Sequence, residues 1–220
     1  SAPDEVRIAQ VLTALAALRR EDPSRLGDGL SRSQVMGTLG MAIDAITRDG
    51  LVRELAQHPE RPEDVTLVAA RGVFTAPLEW VALYAAAGIR VHIKAPRGAA
   101  QMCQAIARTF QAQDLPVHVR EDRALGNPST LVAFGSDESL DQISRSWPQA
   151  HHVLFGHRFS VAITGTIAPQ ILAWEVAYFD TRGCMAPVAI FCLDDPSVHL
   201  DALTRSMAAA QRAMPRGKVE

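Results

Sequence analysis

The feature that most constrains this chain is the alternation of short apolar runs with helical stretches from Val65 onward. Val65–Ala70, Ile89–Ile93, Val117–Val119, Thr130–Phe134 and Val188–Leu193 read as strands. Leu78–Ala87, Ala99–Ala112, Asp137–Trp147, Pro169–Tyr178 and Val198–Met214 read as helices. Strands separated by helices of this length predict βαβ units. The expected fold class is therefore α/β, a parallel sheet with helices on both faces. His152–Phe155 and Phe159–Ile163 are expected to form a further strand pair.

The segment before Val65 reads differently. Val6, Ile8, Val11, Leu12, Leu15 and Leu18 predict an amphipathic helix over 4–20, with Asp4 as its N-cap. Ser31 and Gln34 form a capping-box pattern ahead of a helix over 32–49, and Gly50 stands where a C-terminal glycine cap is expected. Val35, Leu39, Ile43 and Ile46 would be its buried stripe. A shorter helix covers Leu51–Gln57, and His58-Pro59-Glu60-Arg61-Pro62 closes this helical N-terminal region at about residue 60.

Lys and Arg number 22 against 24 Asp and Glu, so no face is obliged to meet nucleic acid or an anionic membrane. No apolar run reaches the roughly 18 residues of a membrane span. The N-terminal Ser1-Ala2-Pro3-Asp4-Glu5 lacks the basic start of a signal peptide. The three widely spaced cysteines favour free thiols in a reducing compartment, and a cytoplasmic protein is expected.

In open α/β sheets ligands bind beyond the carboxyl ends of strands. Three such ends carry chemistry. Lys94, directly after the strand Ile89–Ile93, is placed to bond a ribose or phosphate or simply to be solvated. Gly135-Ser136 is a strand-to-helix turn that either admits a phosphate or simply caps the helix, with Asp137 and Glu138 complementing its dipole. Cys184, in Arg182-Gly183-Cys184, is either a presented thiol or a small buried residue. Cys103 and Cys192 read as buried and inert. His151, His152 and His157 lack the spaced partners of a metal site, so no metal is expected. Ser160 has no nucleophile elbow, and Gly-x-Gly-x-x-Gly is absent.

Taken in order, Leu67-Val68-Ala69-Ala70, Ala85–Pro96, Leu131–Glu138, Phe155–Ser160 and Phe179-Asp180-x-Arg182-Gly183-Cys184-Met185-x-Pro187 resemble the aldehyde dehydrogenase superfamily. They look closest to its acyl-CoA reductase branch, which includes the fatty acid reductases of bacterial bioluminescence. The resemblance spans about Val65 to Leu193. It implies a nucleotide-binding domain over 61–180 and, over 181–220, the start of a truncated catalytic domain carrying the cysteine loop. It implies NADPH or NADH as cofactor, with Lys94 at the ribose and Gly135 and Ser136 at the pyrophosphate. Cys184 would be the nucleophile toward an acyl-CoA or another acyl thioester. His157, where hydrolytic relatives carry Glu-Leu-Gly-Gly, would handle a proton.

Three departures from the family pattern keep an alternative open, one being that the chain stops at Glu220, soon after Cys184, where family members continue into a long catalytic domain. The loop Arg71-Gly72-Val73-Phe74-Thr75 lacks the asparagine that helps stabilise the family's oxyanion, and the Gly-Ser turn lacks a later glycine. The alternative is a catalytically inactive relative or fragment that binds a nucleotide, coenzyme A or a protein partner. A homo-oligomer, or a missing C-terminal domain, is the expected partner.

Overall fold

The computed structural model describes residues 2–27, 29–70, 72–96, 100–120, 125–165, 168–178, 186–193 and 195–217. Three helices come first: α1 (Ala2–Leu18), α2 (Arg32–Ala45) and α3 (Arg48–Gln57). Then β1 (Asp64–Val68), α4 (Ala76–Ala86), β2 (Arg90–Lys94), α5 (Gln101–Gln111) and β3 (Val117–Arg120) follow as two βαβ units. Next come β4 (Thr130–Phe134), α6 (Asp137–Ser146) and β5 (His151–Phe155). The chain ends with β6 (Ser160–Thr164), α7 (Pro169–Ala177), β7 (Pro187–Cys192) and α8 (Pro196–Ala213).

Five strands form one parallel sheet in the order β3-β2-β1-β4-β5. One face is apolar across its width. Val65 and Leu67 of β1, Val91 and Ile93 of β2, Val117 of β3 and Val132 of β4 are fully buried there. The helices α1, α4 and α5 supply the other half of this core through Leu15, Leu18, Leu78, Val81, Ile106 and Phe110. On the opposite face α6 sets Leu140 and Ile143 against Leu131 and Ala133, so helices do flank both sides. Gly88 ends α4 at φ +77°, where a side chain would be strained and would press on the Arg7 guanidinium.

Several local expectations need correction. The first helix starts at Ala2, so Asp4 lies inside its first turn rather than capping it. There its carboxylate accepts from Arg7 at 2.6 Å and Arg61 at 3.0 Å, which favours keeping it helical. Val6 is 61% exposed; the buried stripe is Ile8, Val11, Ala14, Leu15 and Leu18, one helical face over. The capping box of Ser31 and Gln34 forms, but α2 stops at Ala45. Gly50 does not cap it: Thr47 caps α3, and Gly50 N–H donates to the Thr47 hydroxyl. Thr47 offered a competing N-cap, and that local bond won.

The expected pairing of the fifth and sixth strands is also absent. β5 pairs with β4, whereas β6 pairs in parallel with β7 in a second, two-stranded sheet. The crossover helix α7 makes β6–α7–β7 a βαβ unit, and its Ala173 and Ala177 are buried against Ala210 of α8.

Core and cap are predicted to weigh differently. Phe110→Ala, fully buried at the junction of α1 and α5, should cost about 3–5 kcal/mol. Ser31→Ala should cost about 1 kcal/mol. Urea unfolding of the two variants checks this, and equal losses would contradict the core placement.

Candidate active site

All five strands of the larger sheet run the same way, so their carboxyl ends meet at one edge. The chain moves outward on one side from β1 to β3 and on the other from β4 to β5. Between β1 and β4 the helices change face, which opens the crevice where such sheets bind ligands. Lys94 ends β2, opposite Val68 of β1 and Arg120 of β3. It is thus the last strand residue, one position earlier in the architecture than its sequence context suggested. Gly135-Ser136 follows β4, and Gly156-His157 follows β5. Four of the five predicted site residues therefore reach one edge. Strand spacing sets the ends of β2 and β4 about 10 Å apart.

The β4 turn is an N-cap. The Ser136 hydroxyl accepts from Ser139 N–H at 3.3 Å and lies 2.9 Å from the Ser139 hydroxyl. Gly135 N–H donates to the Phe155 carbonyl at 3.2 Å. A Cβ at Gly135 would lie 3.6 Å from Ser139 Cβ, an ordinary contact, and φ there is not positive. The fold itself does not require glycine at 135. What glycine leaves is bare backbone beside a helix N-terminus, the arrangement that accepts a phosphate.

Asp137 is a residue that sequence reasoning assigned only to the helix dipole. Its Oδ1 accepts from His157 N–H at 2.9 Å, so the start of α6 holds the loop after β5. A Cβ at Gly156 would overlap that same oxygen, which explains the glycine there. Below the edge, Phe134 and Phe155 stack at 4.9 Å, and Trp80 of α4 meets Phe155 at 5.5 Å. These rings fix the ends of β4 and β5 at one level. The His157 side chain is exposed above them.

Arg120 is the other residue missed. His92-Ile93-Lys94 and His118-Val119-Arg120 repeat one pattern, and the two-residue spacing was the signal for it. Cys184, with residues 179–185, lies outside the described residues. Cys103 is buried on α5, and burial pushes its thiol up to about 11. Cys192 is half-buried rather than buried, because β7 is an edge strand of a two-stranded sheet. His151 and His152 alternate sides of β5, and His152 Nε2 pairs with the Trp147 carbonyl at 2.9 Å. Among the described residues no three His, Cys, Asp or Glu side chains are grouped to hold a metal. Among them too, no helix is long and apolar enough to cross a membrane.

Known proteins give this edge a context. Residues 118–219 match the acyl-CoA reductase (LuxC) family. No curated protein matches the sequence. Similar solved structures include aldehyde dehydrogenases. An NAD-dependent benzaldehyde dehydrogenase from Corynebacterium glutamicum superposes with a TM-score of 0.70 at 16% identity, over 99% of this chain and 56% of that one. A succinic semialdehyde dehydrogenase from Streptococcus pyogenes, in complex with NADP+, gives 0.73 at 12%, over 100% and 57%. Aldehyde dehydrogenase C from Pseudomonas syringae, a mutant complexed with NAD+ and octanal, gives 0.73 at 13%, over 95% and 50%. The fold is that of the aldehyde dehydrogenases, and the chain spans about half the length of these structures.

Two outcomes are expected. Gly156→Ala should cost about 1–3 kcal/mol by displacing the Asp137 carboxylate from His157 N–H, and much less in an Asp137→Ala background. Additive losses in that double-mutant cycle would mean the two residues do not meet. At pH 7.5, iodoacetamide should leave Cys103 unmodified until the chain is unfolded, read by peptide mass spectrometry.

Proposed function

We propose that this chain, a LuxC-like relative on the aldehyde dehydrogenase fold, supplies the cofactor edge and the nucleophilic cysteine of an acyl-CoA reductase. The observation that carries the reading is the match of residues 118–219 to the acyl-CoA reductase family, a segment containing Gly135, Ser136, His157 and Cys184. The gathering of Lys94, Gly135 and Ser136 at the topological switch point supports it from geometry. In domain terms, 1–60 is the helical region, 61–180 the nucleotide-binding domain and 181–220 the start of a catalytic domain. The second sheet, which begins at Ser160, spans the last two.

The residues suit a nicotinamide dinucleotide. Gly135 leaves backbone bare at the α6 N-terminus, Ser136 fixes the turn, and Lys94 stands two strands away to meet a ribose. Bound NADPH or NADH would supply a hydride to the acyl carbon. Asp137 and Glu138 oppose any anion at the same helix, but Asp137 spends its charge on His157 N–H. The Cys184 thiolate attacks the thioester carbonyl, the carbon–sulfur bond to coenzyme A breaks, and the acyl group rests on the enzyme. Reduction at that carbon breaks the new carbon–sulfur bond and releases an aldehyde with the regenerated thiolate. The departing coenzyme A thiolate takes a proton, and His157, exposed at the edge, is the residue assigned to move it. No glutamate stands at the stretch 155–160 to activate water, which suits reduction over hydrolysis.

The oxyanion donor is the weak point of catalysis. Phe74 and Thr75 of the loop after β1 are buried, and no asparagine is present in it. Loss of one such donor lowers rates about a hundred-fold or more. That observation favours, as second reading, a relative that binds nucleotide or coenzyme A without turnover.

Incubation with a long-chain acyl-CoA should release one coenzyme A per chain, and Cys184→Ala should abolish it. NADPH added afterwards should be oxidised with aldehyde formed. Release without hydride transfer would retain the acylation half only. Absence of any release would exclude the reductase and leave the binding reading.

A further inference from the structure

Helix α2 faces two ways. Its Val35, Leu39 and Ile43 belong to the core that underlies the five-stranded sheet. Gln34, Gly37 and Thr38 share an adjoining face, set by their three- and four-residue spacing. That face meets α7 and the end of α8. Gln34, only 1% exposed, donates from Nε2 to the Ala177 carbonyl at 3.1 Å, across 143 positions of sequence. A Cβ at Gly37 would lie 3.3 Å from Tyr178 Cε1 and 3.9 Å from Met214 Sδ. Glycine inside a helix weakens it, and here its bare backbone admits the tyrosine ring. Thr38 serves its own helix, its hydroxyl donating to the Gln34 carbonyl at 2.7 Å.

The Gln34 amide is held at both ends. Its Oε1 accepts from Ser31 N–H at 2.9 Å, the reciprocal half of the capping box. With the oxygen fixed at the start of its own helix, the nitrogen is aimed at α7. Ala177 is the last residue of α7, and the final carbonyls of a helix find no partner within it. Gln34 supplies one from another part of the chain. Ala177 is buried, and Met207 and Met214 line the same small crevice. In such apolar surroundings a carbonyl left without a donor costs more than the bond itself contributes.

The contact falls where the chain leaves α7. Tyr178 closes that helix by donating its N–H to the Trp174 carbonyl at 3.0 Å, and its ring lies 5.9 Å from that of Trp174. Cys184 follows Tyr178 in the sequence by six positions. An attacking group displaced by about 1 Å can lose a hundred-fold in rate. An apolar side chain at 34 would fill the same space, but only a directed donor fixes the α7 carbonyl in one place. We propose that Gln34 is a positioning residue for acyl transfer, holding the end of α7 from which the chain runs on to Cys184. The proposal rests on the reductase reading for the role of Cys184. It makes the helical N-terminal region part of the acyl-transfer machinery: α2 is anchored in the core of the larger sheet and bonded to the crossover helix of the smaller one.

Three variants separate positioning from stability. Gln34→Glu keeps the acceptor for Ser31 N–H and removes the donor to Ala177. Gln34→Met removes both at similar length. Ser31→Ala removes the serine half of the capping box and leaves the Ala177 bond. Coenzyme A release from a long-chain acyl-CoA and iodoacetamide alkylation of Cys184, read by peptide mass spectrometry, are measured on each, with urea unfolding for stability. Both Gln34 variants should lower the maximal release rate about tenfold or more while the half-saturating acyl-CoA stays within about twofold. Their Cys184 alkylation rate should change about threefold or more, and Ser31→Ala should leave both rates within about twofold. The Gln34→Glu defect, relative to the unchanged chain at each pH, should shrink as pH falls toward about 5, because a protonated carboxyl again donates to the carbonyl. Gln34 variants that behave as Ser31→Ala does, or that raise only the half-saturating concentration, overturn the proposal. If the unchanged chain releases no coenzyme A, the reductase reading fails and the alkylation comparison still decides: a changed rate keeps Gln34 as the positioning residue of the thiol, and an unchanged rate removes it. If both Gln34 variants unfold, Gly37→Ala, which presses on Tyr178 and leaves the bond in place, decides by the same readouts: slower release supports the proposal, and unaltered release and alkylation overturn it.

Discussion

The pairing of β1 on both sides carries the rest of the molecule. Val65 and Leu67 are wholly buried at the centre of the sheet, bonded to β2 on one flank and β4 on the other. Because both pairings are parallel, every strand must return across a face of the sheet before the next begins. The returns from β1 to β3 use α4 and α5 on the α1 side, and the return from β4 to β5 uses α6 on the other. One consequence is that all carboxyl ends share an edge. Another is that the edge divides at β1, with Lys94 on one half and Gly135 on the other.

Edge residues on separate strands are useful only if the strand ends stay level. The stacked Phe134 and Phe155, with Trp80 beneath, lock the last rungs of β4 and β5. The Asp137 carboxylate then joins the first turn of α6 to the loop after β5. Asp137 and Glu138 at a helix N-terminus stabilise the dipole by a few tenths to about 1 kcal/mol each. That same charge disfavours a bound anion. Tying the Asp137 carboxylate to a backbone N–H lessens the conflict, because the oxygen faces the His157 loop instead of the Gly135 turn. Capping, loop placement and ligand access are therefore set by three consecutive residues.

The parallel core was legible because strands buried on both faces read as unbroken apolar runs, as Thr130–Phe134 does. Lys94 and the Gly135-Ser136 turn were legible because strand ends in such a fold are the places where chemistry collects. What the sequence hid were relations between elements. Nothing local to Phe159–Ile163 tells which sheet it joins, since an apolar strand pairs with either neighbour; its partner β7 lies beyond the crossover helix α7. Asp137 looked like a dipole residue because its partner is a backbone N–H twenty positions away. Arg120 became visible as a neighbour of Lys94 only when β2 and β3 were aligned in register. The Gly50 misreading had a local cause, a threonine at 47 competing for the cap.

The two sheets separate the proposed chemistry into two parts. The proposed cofactor edge belongs to the five-stranded sheet, which brings its own core of helices and is buried on its apolar face. Cys184 lies in sequence between α7 and β7, and the two strands β6 and β7 leave Val161, Ile163 and Phe191 exposed. Two strands with one bare apolar face are marginal on their own; the helices α7 and α8 pack closely on each other. On the proposed reading, thioester attack depends on the smaller unit and hydride delivery on the larger. The reaction then needs both units held in register, and the short link 156–159 is the covalent connection between the two sheets. Its first residue is Gly156 and its second is His157, so the Asp137 bond to His157 N–H also fixes the point from which the chain leaves the five-stranded sheet. A substitution there would disturb the relation between the two halves before it disturbed either one.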